Sequence, residues 1–325
     1  MSDSFRLVHH SRVSAPPAGT DLAAADHRAL VVIAHGASAR VRFNDGTEAL
    51  ARAAGRDLQV VCGDQVICAR DTQHAQWLIQ QVMPRRTALY RSNARGRAEL
   101  VAANLSMLVV VVAPQPQPDL FLVDRYLAAA ASAGLSSLLL GNKADQPFED
   151  GLQDEFAAYA GADCATLICS ARTGLGLSAV RERLHEQCVM FVGQSGVGKS
   201  SLLRELVPGC EATVGEMLKS QEGRHTTSAG RLYPLPGGGT VIDSPGVRDF
   251  APAAEMLDPR TIGFVDLARF APQCRFADCR HLKEPQCAVR EAVTAGRVSA
   301  RRYESYRRLR RLRETLLDRA PYPRP

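Results

Sequence analysis

The run Gly193-Gln194-Ser195-Gly196-Val197-Gly198-Lys199-Ser200-Ser201 has the residue types and spacing of a phosphate-binding loop. Its glycines let successive backbone N–H groups converge on α- and β-phosphates without side-chain obstruction. Lys199 is expected to reach the β/γ oxygens and Ser200 to hold Mg²⁺. The apolar run Cys188–Val192 before the loop reads as a strand and Lys199–Leu206 after it as a helix, whose N-terminus adds a positive dipole. Lysines number four (143, 199, 219 and 283) among 40 basic residues. A lysine retained at 199 against that arginine bias points to a need for a compact charge.

A phosphate loop does not name its base, but Gly141-Asn142-Lys143-Ala144-Asp145 after Leu138-Leu139-Leu140 does. At a strand's end the Asp145 carboxylate can accept from N1–H and the 2-amino group of guanine. Adenine has a lone pair at N1 and no 2-amino group, so the bonds are lost and discrimination is large. Asn142 orients the loop and the stem of Lys143 packs on base and ribose. Ser170 and Ala171 follow another apolar run, where the Ala171 N–H is a candidate donor to guanine O6. These residues predict GTP rather than ATP, and disfavour a small-molecule kinase built on the same loop.

Thr240-Val241-Ile242-Asp243-Ser244-Pro245-Gly246 supplies the expected second magnesium motif. Asp243 approaches Mg²⁺ through water, and the Gly246 N–H senses the γ-phosphate. In Gly223-Arg224-His225-Thr226-Thr227 a threonine is expected on Mg²⁺, and either Thr226 or Thr227 could serve. Val247 stands where a water-orienting glutamine is often found, so intrinsic hydrolysis should be slow unless another group orients water. His225 is a candidate for that role, or a solvated loop residue.

A second chemistry lies at Cys274, Cys279, His281 and Cys287: three thiolates and an imidazole within fourteen residues. Soft donors in a Cys₃His set suit a closed, structural Zn²⁺ and disfavour Mg²⁺ or Ca²⁺. The six other cysteines are scattered, mostly in apolar runs, and read as small buried hydrophobes.

Around these groups, short β-like runs between Leu30 and Ile79, including Leu58–Cys62, predict a small barrel. Pro84–Arg97, with five arginines, reads as a basic connector. From Glu99 strands and helices alternate: a strand at 105–113, a helix capped by Asp119, and helices at 152–160 and 177–186. This is the pattern of a mostly parallel, doubly wound sheet. After Phe250 the pattern turns helical and irregular.

The chain has 325 residues, is 46% hydrophobic and 23% charged, and carries a formal charge of +6. These are globular values that exclude wholesale disorder and imply more than one domain. The longest apolar run, Met107–Ala113, is far short of a membrane span, and Met1–Phe5 lacks a secretory layout, so a soluble cytoplasmic protein without membrane contact is expected. Nine arginines against three acids lie between Ser299 and Pro325. They read either as a site for a polyanion or as a solvated arginine-rich helix.

The motif order (142–145, 169–171, 193–201, 226–227, 243–246) is a circular permutation of the usual GTPase order. With a small barrel before it and the cysteine cluster after it, the chain resembles the bacterial small-ribosomal-subunit biogenesis GTPases of the RsgA (YjeQ) family. Val61-Cys62-Gly63-Asp64-Gln65-Val66, Ala103-Asn104, Asp124-Arg125-Tyr126-Leu127, and the Gly-Arg-His-Thr-Thr and Asp-Ser-Pro-Gly-Val-Arg segments carry the resemblance. It departs in a shorter run between Arg183 and Val189 and a barrel less rich in lysine. Residues 1–28 mix Pro, Ala, Ser, His and Asp with no period and read as a flexible arm. The resemblance, over about 29–315, implies an RNA-binding OB-fold at 29–85, a permuted GTPase at 86–255 and a zinc domain with a basic helix at 256–325. It further implies a monomer that binds ribosomal RNA late in small-subunit maturation and hydrolyses GTP when the subunit stimulates it. A GTP-gated RNA-binding module with little turnover is the alternative.

Overall fold

The computed structural model describes residues 27–55, 57–71, 74–93, 97–148, 150–210, 230–243 and 252–319. Five strands come first: β1 (His27–His35), β2 (Ser38–Phe43), β3 (Glu48–Ala53), β4 (Gln65–Asp71) and β5 (Gln76–Val82). They pair as β1–β2–β3–β5–β4 and close back from β4 to β1, with β3–β5 parallel. This is a five-stranded OB-fold barrel, filled by Val31, Val41, Val66, Cys68 and Ile79.

Leu58–Cys62, expected as a strand, is not one. The Asp64 carboxylate accepts the Val61 N–H at 2.9 Å, and the Asp64 N–H returns to Val61 O at 3.2 Å. This local turn keeps the segment out of the strand ladder, although Val60 still packs in the barrel core. Pro84–Arg97 is not a free connector either: β6 (Ala88–Ser92) pairs antiparallel with β7 (Ala98–Ala103). Two of its arginines are spent on carboxylates, Arg85 on buried Asp64 at 2.7 Å and Arg91 on Glu99 at 3.0 Å.

The nucleotide sheet follows: β8 (Met107–Val112), β9 (Ser136–Gly141), β10 (Ala165–Ile168), β11 (Cys188–Val192), β12 (Gly230–Pro234) and β13 (Thr240–Asp243). The order β10–β9–β8–β11–β13 is parallel throughout, and β12 is an antiparallel strand beyond β13. Helices α1 (Leu120–Ser132), α2 (Asp150–Ala160), α3 (Leu177–Leu184) and α4 (Lys199–Leu206) are the crossovers. β8 is buried along its whole length because alternate residues feed two cores. The second half of β1 pairs with β12 (Ile33 with Arg231, Ala34 with Gly230), so barrel and nucleotide sheet form one continuous sheet.

The C-terminal part holds short α5 (Val265–Ala268), α6 (Ala288–Thr294) and the twenty-residue α7 (Ala300–Arg319). Its arginines divide: Arg308 and Arg311 are exposed, whereas Arg302 and Arg310 are buried and Arg301 is half-buried against acids of the fold, a use neither sequence reading contains. Arg302, 4% exposed, donates to Asp266 through Nε and Nη2 at 2.8 Å each and to Asp124 at 2.7 Å. Arg301 spans Asp124 (2.5 Å), Glu155 (2.8 Å) and the Tyr159 hydroxyl (3.0 Å). Arg310 donates to the Tyr306 hydroxyl and to the carbonyls of Pro259 and Arg260. The helix is thereby fastened to α1 and α2 of the nucleotide domain.

Candidate functional site

In a parallel sheet the C-terminal strand ends share one edge, where ligands bind. The loops after β9, β10 and β11 bring the sequence-predicted residues there. Gly193 leaves β11 at φ +141°, and a Cβ on it would lie 2.2 Å from Val111 O. Gly198, at φ +95°, would place a Cβ 2.3 Å from Asn142 Nδ2. The phosphate loop can lie against β8 and β9 because neither position carries a side chain.

Asn142 ties the three loops together. Its Nδ2 donates to Val197 O at 2.9 Å and its Oδ1 accepts the Ala171 N–H at 3.1 Å, both at a 1% exposed residue. A guanine O6 at Ala171 would share that N–H with Asn142. The Ser170 hydroxyl donates to Asp145 Oδ1 at 2.5 Å, and the Ala144 N–H to Cys169 O at 3.0 Å. The hydroxyl of Ser170, with help from the Asp145 N–H and Arg172, holds the Asp145 carboxyl below the usual carboxylate range despite partial burial. An ionised acceptor is what a guanine edge requires.

Lys199 is buried, and its ammonium donates to Gly193 O and Gln194 O at 2.6 Å each. Those two carbonyls position the ammonium inside the loop. Val197 is buried below the loop, whereas Ser195, Gly196 and Ser200 face outward and Ser201 is half-buried. Asp243 ends β13, one residue beyond the Met190–Ile242 pair, at the same sheet edge. His225, Thr226, Thr227 and Gly246 lie outside the described residues.

Sequence reasoning missed the loop Ala113–Asp119. Gln194 Oε1 accepts the Asp119 N–H at 2.8 Å, its Nε2 donates to Gln117 O at 3.2 Å, and Lys143 Nζ donates to Gln115 O at 2.7 Å. Both nucleotide motifs therefore hold the start of α1, whose cap is the Asp119 carboxylate. The Gln-Pro-Gln-Pro run carries no signal for this, since its contribution is main-chain carbonyls.

The four metal candidates also converge. Cys274, Cys279, His281 and Cys287 present donor atoms all within 4.8 Å of one another. Cys274 Sγ and Cys287 Sγ lie 3.4 and 3.5 Å from His281 Nδ1 and 3.9 Å from each other. A tetrahedron with Zn–S bonds of ~2.3 Å has edges of about 3.8 Å, so the donor set fits that ion. Tyr303 and Tyr306 of α7 donate to the carbonyls of His281 (2.6 Å) and Arg280 (2.8 Å), and Glu284 accepts the N–H groups of Arg280, Leu282 and Lys283. Against slight burial, those N–H groups and its own hold the Glu284 carboxyl down to about 2.

Fold and strand-end pocket together define a circularly permuted P-loop GTPase. A family model described as RsgA GTPase matches residues 82–252. The small ribosomal subunit biogenesis GTPase RsgA of Pseudomonas aeruginosa is 39% identical over 283 residues, 86% of this chain and 83% of that one. Its namesake in Azotobacter vinelandii is 41% identical over 254 residues, 77% and 74% of the two chains. The crystal structure of YjeQ from Thermotoga maritima superposes with TM-score 0.68 at 28% identity, covering 90% of this chain and 99% of that one. YloQ, described as a circularly permuted GTPase, shares the fold at TM-score 0.66 and 22% identity, covering 91% and 96%. The chain belongs to the RsgA GTPase family and is a GTP hydrolase.

Proposed function

We propose that this chain is a monomeric, cytoplasmic assembly factor for the small ribosomal subunit, hydrolysing GTP to GDP and phosphate late in that subunit's maturation. The observation that carries the reading is the reach of the likeness. Identity to a small-subunit biogenesis GTPase runs over 86% of the chain, well beyond the nucleotide domain alone. Among the described residues no helix is long and apolar enough to cross a membrane.

In this reading Asp145 accepts from guanine N1–H and the 2-amino group, with Ser170 aligning it. Asn142 fixes the loops, Lys143 packs on base and ribose, and Ala171 faces O6. The amides of Gly193–Gly198 cradle the α- and β-phosphates. Lys199 exchanges its two carbonyls for phosphate oxygens, an exchange of neutral for charged acceptors that favours the bound form. Ser200, Thr227 and Asp243 are the residues that would hold Mg²⁺, which when bound neutralises developing phosphate charge. Gly246 meets the γ-phosphate, and His225 is the candidate for orienting water.

Residues 29–85 would contact ribosomal RNA, 86–255 form the GTPase and 256–325 the zinc-bearing module, after an arm at 1–28. A structural Zn²⁺ at Cys274, Cys279, His281 and Cys287 would fasten the knuckle that α7 clamps.

The test is steady-state GTP hydrolysis by the full chain with purified ribosomal subunits. Small subunits are expected to raise turnover at least tenfold and large subunits to leave it unchanged. Binding to small subunits in the GTP state with no rise in turnover would favour a GTP-gated RNA-binding module instead.

A further inference from the structure

Arg172 belongs to none of the motifs above, yet it occupies the base-reading carboxylate. Its Nη2 lies 2.6 Å from Asp145 Oδ2, while the Ser170 hydroxyl takes Oδ1. The Asp145 side chain is 9% exposed and that of Arg172 is 76% exposed. The serine is thus part of the strand-end framework, whereas the arginine reaches in from solvent.

A guanidinium presents two adjacent N–H donors to a carboxylate. The N1–H and 2-amino edge of guanine presents the same pattern. Ser170 can stay on Oδ1, because a carboxylate offers about four acceptor positions. Arg172 and the base need the same outward-facing oxygen.

We propose that Arg172 is a built-in competitor for the base: its guanidinium stands in for the guanine edge at Asp145, and nucleotide binding exchanges one for the other. The inference rests on the reading of Asp145 as the base acceptor. Between nucleotides the pair keeps a largely covered carboxylate partnered through Arg172 Nη2. An ion pair whose cation stands in solvent, as Arg172 does, closes with an equilibrium constant of about 1.5–5. A closed fraction of that size lowers apparent nucleotide affinity about two- to sixfold. Because the pair forms only where the base is not, the penalty falls on association. The dissociation rate stays the same.

The experiment is stopped-flow binding of a fluorescent GDP analogue to the full chain and to Arg172→Gln. It is repeated in an Asp145→Asn background, with and without Arg172→Gln, using the xanthosine counterpart. Arg172→Gln is expected to speed GDP association about two- to sixfold at 0.05 M salt, with dissociation unchanged and the gap closing by 0.5 M as screening opens the wild-type pair. Losing a cation would by itself slow the approach of an anionic ligand, so acceleration cannot come from steering. With Asn at 145 the effect of Arg172→Gln on the xanthosine ligand should vanish.

Unchanged or slower association, or faster dissociation, would overturn the competitor. The latter two would make Arg172 a contact to the bound nucleotide. Should Asp145→Asn fail to move preference from guanine to xanthine, the base-acceptor reading falls and the competitor with it. A clean switch, with Arg172→Gln leaving GDP association unchanged in the protein that keeps Asp145, removes the competitor alone.

Discussion

At the phosphate loop one buried lysine, Lys199, holds two main-chain carbonyls, whereas on the C-terminal helix Arg301 and Arg302 hold the carboxylates of Asp124, Glu155 and Asp266. Both regions are cationic in sequence, and the helix far more so. The lysine's hydrogen bonds to main-chain carbonyls of its own loop place its ammonium at the strand-end edge. The arginines are matched by acids within the fold and act as fasteners. The count of charges along a chain therefore overstates what is free for a polyanion, because Arg301 and Arg302 are already matched within the fold.

If the helix is a fastener hung on a metal knuckle, the largest effect should come from removing the metal. Structural zinc contributes on the order of 10 kcal/mol to folding of its module. Chelation is expected to expose the amides of residues 258–319 first in hydrogen exchange while those of β8 and β11 stay protected. Uniform protection with the metal gone would break the contrast.

Next comes Arg302→Ala, which leaves Asp124 and Asp266 without their buried partner at a cost of ~3–5 kcal/mol. Thermal unfolding should show it as a clear drop in Tm, with GDP affinity little changed in the folded protein. The mirror image is Lys199→Ala, where nucleotide affinity should fall at least ~100-fold, about 3 kcal/mol, while Tm barely moves. A variant at either position that altered stability and binding alike would merge the two regions. The smallest effect is expected from Glu284→Ala, which removes the acceptor of three knuckle N–H groups. Zinc affinity should fall roughly tenfold by competition with a chromophoric chelator.

Much of this was legible in the sequence where local rules and the fold agree. Cys188–Val192 and Lys199–Leu206 form the strand and helix expected of them, and Asp119 caps α1. In each case hydrophobic period and end signals coincide. The convergence of Cys274, Cys279, His281 and Cys287 was readable because three cysteines and a histidine so close together have few other uses.

Leu58–Cys62 has the composition of a strand but is turned aside by Asp64, whose carboxylate caps the Val61 N–H three residues back, a local turn hidden beneath a strand-like run. β12 escaped notice because it is short and antiparallel, and the turn Gly237–Gly239 looks like plain loop. The inward arginines did leave a trace. Arg302, Tyr306, Leu309 and Arg313 recur at helical spacing, and the first three are buried. What the sequence could not supply was Asp124 and Asp266, which lie far off in the chain.

The central claim, that the strand-end pocket reads guanine through Asp145 while Gly193–Ser201 hold the phosphates, is tested most directly by calorimetric titration of one protein sample with GDP and then with ADP, both with Mg²⁺. The account predicts one GDP site and at least ~100-fold weaker ADP binding, the discrimination that a site built on base hydrogen bonds can give. Equal affinities, or ADP bound more tightly, would contradict it.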